Sequence, residues 1–136
     1  MSASSPTPPA TPGSAGSASE LSSEDAKLVT LARATRARIQ AAQGAAVRDE
    51  LGRTYAAASV ALPSLTLTAA QVCVAMAVAS GSTRIAAAVL LGEDAALSAA
   101  DGAVLADLGG PDVVVHLADA RGTVLASTTA GAADPA

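Results

Sequence analysis

The chain has 136 residues, carries a formal charge of −4, is 51% apolar, and contains one Cys, one Tyr (Tyr55) and neither Phe nor Trp. One domain's core fits this length, no apolar run approaches the roughly 18 residues of a membrane span, and one Cys excludes a disulfide scaffold or a Cys-rich zinc site. Eight Lys and Arg against twelve Asp and Glu, with one aromatic ring, argue against phosphate neutralisation and base stacking, so nucleic acid is not an expected partner.

Residues 1–20 hold six Ser, four Pro, four Ala, two Gly and two Thr. Such a segment buries too little apolar surface to offset the entropy of ordering and is expected to be a disordered tail. No basic stretch followed by an apolar h-region occurs there, so a cytoplasmic location is expected. Residues 21–130 are expected to form the domain, and 131–136 a frayed end.

The first helix opens at Ser22-Ser23-Glu24-Asp25. Ser22 can accept from the Asp25 N–H, the Asp25 carboxylate can reach back, and Glu24 suits the positive end of the helix dipole. Leu28, Leu31, Ala32, Thr35, Ile39 and Ala42 recur at helical spacing as the expected buried stripe. Lys27, Arg33, Arg36 and Arg38 read as its solvated face, and Gly44 as its stop.

Segments 45–48 and 53–62 flank the polar turn Asp49-Glu50-Leu51-Gly52 and predict a β-hairpin that Pro63 ends. Thr68-Ala69-Ala70-Gln71 is a capping box opening a helix over 69–79. The apolar run 85–91 reads as a strand covered on both faces. Ser98-Ala99-Ala100-Asp101 caps a helix to about Leu108, and strands follow over 112–117 and 123–127. The order α-β-β-α-β-α-β-β predicts a three-layer α/β/α domain with a five-stranded mixed sheet and helices on both faces.

These segments resemble the small cytidine deaminase family. Gly44-Ala45-Ala46 with Asp49-Glu50-Leu51-Gly52-Arg53 is similar to its G-A-A…D-G-R hairpin, and Leu67-Thr68 to the start of L-T-x-C-A-E. Val104-Leu105-Ala106-Asp107-Leu108 is similar to V-L-x-E-F, and Gly110-Pro111-Asp112 with Val115-His116-Leu117-Ala118-Asp119 to G-P-D…V-x-L-x-D. The resemblance covers residues 24–127 and implies the same fold, in which three Cys hold Zn²⁺ and a Glu shuttles protons.

The chemistry departs from that pattern. An ungapped match places Ala70 and Val72 at the first Cys and the Glu; a two-residue gap places Thr68 and Ala70 there. Ser98 and Asp101 stand for the P-C-x-x-C pair, Leu97 for its Pro, and Ser59-Val60-Ala61 for the substrate-reading N-x-E. The aromatic loop before Gly44 is missing. Without the metal, bound water keeps a pKa near 15.7 instead of about 7, so hydrolytic deamination has no recognisable route.

The positions Ser59, Ala61, Thr68, Ala70, Val72, Ser98 and Asp101 are therefore read as a vestigial site, with no catalytic residue, no metal ligand and no zinc expected. Self-contained caps at Thr68…Gln71 and Ser98…Asp101 are expected to satisfy the two helix ends that the metal would tie. Cys73 reads as a buried small hydrophobe, His116 as a satisfied strand histidine, and Ser98 lacks a His–Asp system to activate it. Asp101 is the best surviving polar group.

The expected function is a non-catalytic binding or assembly module. Its alternatives are a deaminase working through an unrecognised site and a small-ligand sensor retaining the pocket. A second copy of the chain, as in the family's homo-oligomers, and a small nucleoside-like ligand are the partners left open; no membrane is expected.

Overall fold

A computed structural model describes residues 21–133; the expected tail over 1–20 and residues 134–136 of the expected frayed end lie outside it. Helix α1 (Ser23–Ile39) starts as the cap predicts, with Ser22 Oγ accepting from the Asp25 N–H at 3.0 Å. It stops before the expected Gly44, because Gln40 takes the left-handed conformation (φ 54°) and turns the chain. Gly44 instead lies in strand β1 (Gln43–Asp49), where a Cβ would come within 2.5 Å of the Ala32 carbonyl oxygen. The glycine serves the close passage of β1 beneath α1.

The buried part of α1 is Leu28, Val29 and Ala32, not the longer stripe expected. Leu31, Ile39 and Ala42 are exposed and Thr35 is half-buried. Helix α1 seats its middle on the sheet, and its Arg-bearing second half stays near the surface.

Strand β2 (Thr54–Ala58) pairs with β1 through the expected hairpin, with Gly52 at φ 86° closing the turn. The expected strand over 53–62 is interrupted at Ser59. There the backbone N–H donates to the Gln43 carbonyl and Oγ accepts from the Gln43 N–H, and the chain leaves the sheet. It forms a separate ribbon, β3 (Val60–Leu62) and β4 (Leu65–Leu67), with Pro63 and Ser64 in the turn. Pro63 ends a strand as expected, but within a second, smaller hairpin.

Helix α2 (Ala69–Ala79), strand β5 (Ile85–Gly92), helix α3 (Ala99–Gly109), and strands β6 (Val114–Ala118) and β7 (Val124–Thr129) follow. A 3₁₀ turn over Ala130–Ala132 packs near α3. The five-stranded sheet has the order β2-β1-β5-β6-β7, with β5 and β6 parallel and the other pairs antiparallel. This is the expected mixed sheet, with the ribbon added outside it.

Alternation along β5 divides the core. Ala87, Val89 and Leu91 face Leu28 and Ala32 of α1, whereas Ile85, Ala88 and Leu90 join Cys73 of α2 and Leu105 of α3 on the other face. Both faces are covered, as the apolar run predicts. Among the described residues no helix is long and apolar enough to cross a membrane.

Candidate functional site

Helices α2 and α3 lie on the same face and begin near each other. At the start of α2 the capping box is complete: Thr68 Oγ1 accepts from the Gln71 N–H at 3.1 Å, and Gln71 Oε1 accepts from the Thr68 N–H at 2.9 Å. At the start of α3, Ser98 Oγ accepts from the Asp101 N–H at 3.1 Å. Both cap side chains therefore face their own helices, as expected.

The second cap is not self-contained. Asp101 turns its carboxylate toward α2, where Thr68 Oγ1 donates to Oδ1 at 2.7 Å. Asp101 sits in the first turn of α3, where the helix dipole favours a negative group, and is 3% exposed. The hydroxyl of Thr68 thus accepts from its own helix and donates across to the neighbouring one. A single hydrogen-bonded pair, 33 residues apart in sequence, ties the two helix N-termini.

Beside this pair opens a cavity of about 430 Å³, within the usual range for small-molecule sites. It lies where β1 begins (Gln43, Gly44), β5 ends (Leu90, Leu91), α2 starts (Ala69, Ala70) and Asp101 closes one wall. Gln43 Oε1 accepts from the Ala69 N–H at 3.3 Å, and Arg36 Nε donates to the Ala42 carbonyl at 3.2 Å. Glu93 and Asp94 add two exposed carboxylates. Sequence reasoning missed Arg36, Gln43, Glu93 and Asp94; only the position of 93–94 just after a buried parallel strand signals a binding crevice.

Of the seven positions singled out in the sequence, Thr68, Ser98 and Asp101 come together, and Ala70 lines the cavity with Asp101. Ser59 is linked to them indirectly, through its two hydrogen bonds to Gln43. Ala61 lies exposed on β3, paired with Thr66, and half-buried Val72 does not line the cavity. The gapped alignment, with Thr68 and Ala70, is thus the one whose residues meet Asp101 and the cavity.

The donor set at this place is two neutral hydroxyls and one carboxylate, each engaged in a hydrogen bond. Zn²⁺ is held by thiolates, imidazoles and carboxylates, with three protein ligands at a catalytic site. Thr68, Ser98 and Asp101 do not fit it. Among the described residues no three His, Cys, Asp or Glu side chains cluster as a metal site. Cys73 is enclosed in the core against the Tyr55 carbonyl, 3.6 Å away, and burial pushes its thiol up to about 12.

His116 lies on the α1 face, away from the cavity. Its Nε2 is 2.8 Å from Asp25 Oδ2 and its Nδ1 is 2.7 Å from Ser127 Oγ, so it is a satisfied strand histidine as expected. Arg48 Nη1 donates to Asp25 Oδ1 at 2.8 Å. Asp25 therefore binds β1 and β6 to α1 and does not complete the expected capping box with Ser22. Burial raises the Asp25 pKa, but His116 first and Arg48 next more than offset it and hold it below the usual value. Asp, His and Ser here are the residue types of a nucleophile relay, but none of the three lines the cavity, and their bonds join α1 to two strands.

A second carboxylate, Asp49, closes the hairpin. It accepts from Ser82 Oγ (2.6 Å), the N–H groups of Leu51 and Arg53 (3.0 and 2.8 Å) and Arg53 Nε (2.8 Å). Burial opposes its charge, but Ser82, the backbone donors and Arg53 hold its pKa at about 2.

Residues 21–122 match the family described as cytidine deaminase-like. Among solved structures, the chain is similar to the cytidine deaminase from Burkholderia pseudomallei, with a TM-score of 0.68, 26% identity, and coverage of 77% of this chain and 91% of that one. It is also similar in fold to the cytidine deaminase from Mycobacterium leprae, with a TM-score of 0.64, 20% identity, and coverage of 82% and 96%. No curated protein matches the sequence.

Proposed function

The chain belongs to the cytidine deaminase-like family, and we propose that it is a member that no longer deaminates and uses its retained cavity to bind a small ligand. One observation carries this reading. The positions that resemble the family's metal ligands hold Thr68, Ser98 and Asp101, and a Thr68–Asp101 hydrogen bond links the N-termini of α2 and α3. At the position of the proton-shuttling Glu stands Val72 in the ungapped match or Ala70 in the gapped one, and neither can take or give a proton. Hydrolytic deamination needs an activated water and a proton shuttle, and the positions matched to the family's zinc ligands and Glu supply a residue for neither.

Two measurements on the purified chain test the reading together. The expected results are zinc no higher than trace and no turnover of cytidine or deoxycytidine. One tightly held zinc per chain with turnover would overturn it, as would metal-free turnover that disappears in Asp101→Asn.

A second reading, assembly with another copy, draws on exposed apolar side chains: Leu62 and Leu65 on the ribbon and Val78 on α2. Isolated exposed Leu are ordinary, so this reading depends on solution mass. A concentration-independent monomer by light scattering would remove it.

A further inference from the structure

Asp101 is 97% enclosed, yet only one of its carboxylate oxygens has a protein partner among the described residues. Oδ1 accepts from Thr68 Oγ1, and Oδ2 accepts from none. Among the described residues, every side-chain oxygen or nitrogen fully sealed from solvent does have a partner. Asp101 Oδ2 is therefore not sealed, and Asp101 is one of the residues that line the cavity. An enclosed carboxylate oxygen is costly to leave unpaired and accepts best from a charged donor.

The other charges around the cavity must be weighed with it. Arg36 is its one cation, and its Nε is committed to the Ala42 carbonyl. Glu93 and Asp94 add two more carboxylates, so acids outnumber bases three to one. The N-terminal partial charges of α2 and α3, roughly half a unit each, reduce that excess without reversing it. Elsewhere the walls are small and apolar, with Ala69, Ala70 and Leu90 among them, and leave room for a flat apolar body.

We infer that this cavity binds a small organic cation, an amidinium or guanidinium, whose N–H donates to Asp101 Oδ2. The inference rests on the ligand-binding reading above and names the class of ligand. A planar cation with two N–H groups fits a carboxylate oxygen beside a wall of Ala and Leu, and the exposed Glu93 and Asp94 would attract it to the opening.

The test is calorimetric titration of the full chain with benzamidine, benzamide and benzoate, which share a ring and differ in charge. Benzamidine is expected to bind at least about tenfold more tightly than benzamide, and benzoate not to bind. In Asp101→Asn, which keeps an acceptor for Thr68 and loses the charge, that preference should vanish. Glu93→Gln with Asp94→Asn should weaken benzamidine by less than about threefold, since exposed charges are screened.

Equal binding of benzamide and benzamidine overturns the cation assignment. So does silence with all three probes, or an undiminished preference in Asp101→Asn. Should Asp101→Asn fail to fold, the wild-type comparison decides alone: a benzamidine preference of at least about tenfold over benzamide supports the assignment, and a smaller one overturns it. None of these outcomes bears on cytidine turnover, whose appearance would instead defeat the non-catalytic reading.

Discussion

On the α1 face, Asp25 places one carboxylate oxygen on His116 and the other on Arg48. On the opposite face, Asp101, which lines the cavity, places one oxygen on Thr68 and leaves the other without a partner among the described residues. Each carboxylate sits in the first turn of a helix and bonds to residues remote in sequence, so each has the same structural duty. They differ in what is left over. With both oxygens engaged, Asp25 only holds elements together, whereas Asp101 holds two helices and still has capacity for a ligand. A polar group in the interior becomes a functional candidate when its partners do not exhaust it.

Removing each carboxylate or its partner would break this contrast. Asp25→Ala should cost the most, about 3 kcal/mol, because it strands half-buried Arg48 and buried His116, and chemical denaturation would read it. Thr68→Val should cost about 1–2 kcal/mol, by losing both the α2 cap and the bond to Asp101. A double-mutant cycle with Asp101→Ala should show coupling of about 1 kcal/mol, and additive losses would mean the tie carries nothing. Ser127→Ala should cost about 0.5–1 kcal/mol, since it removes one hydrogen bond to His116 at an exposed strand position.

Acid sharpens the comparison without any mutation, and its effect at neutral pH is nil. Asp49 has a folded value of about 2 against its ordinary 3.8, so protonation favours unfolding. Its contribution is complete above 3.8 and is lost as the pH falls through about 2. Asp25, also lowered, adds loss in the same direction. A melting temperature already falling between pH 7 and pH 5 would contradict this assignment of the acid-sensitive groups.

Local chemistry made much of the fold legible. The three caps at Ser22, Thr68 and Ser98 lie within four residues of the N–H groups they satisfy, and burial of both faces of β5 follows from an apolar run between turns. Legibility failed where the deciding partner is distant. Gly44 looks like a helix stop until Ala32 is seen above it, and segment 53–62 looks like one strand until Ser59 is seen bonded to Gln43. At the site, the sequence identified Thr68, Ser98 and Asp101, but their local spacing pointed each cap at its own helix. The bond from Thr68 to Asp101 spans 33 positions, and no periodicity encodes it.

The central claim is that this hydrogen bond, and no metal, joins α2 to α3. It is tested most directly by thermal unfolding of the purified chain before and after exhaustive treatment with a zinc chelator. An unchanged melting temperature is the predicted result. Structural zinc binds with about 10–16 kcal/mol, so a large fall in melting temperature on chelation, restored by added zinc, would contradict the claim.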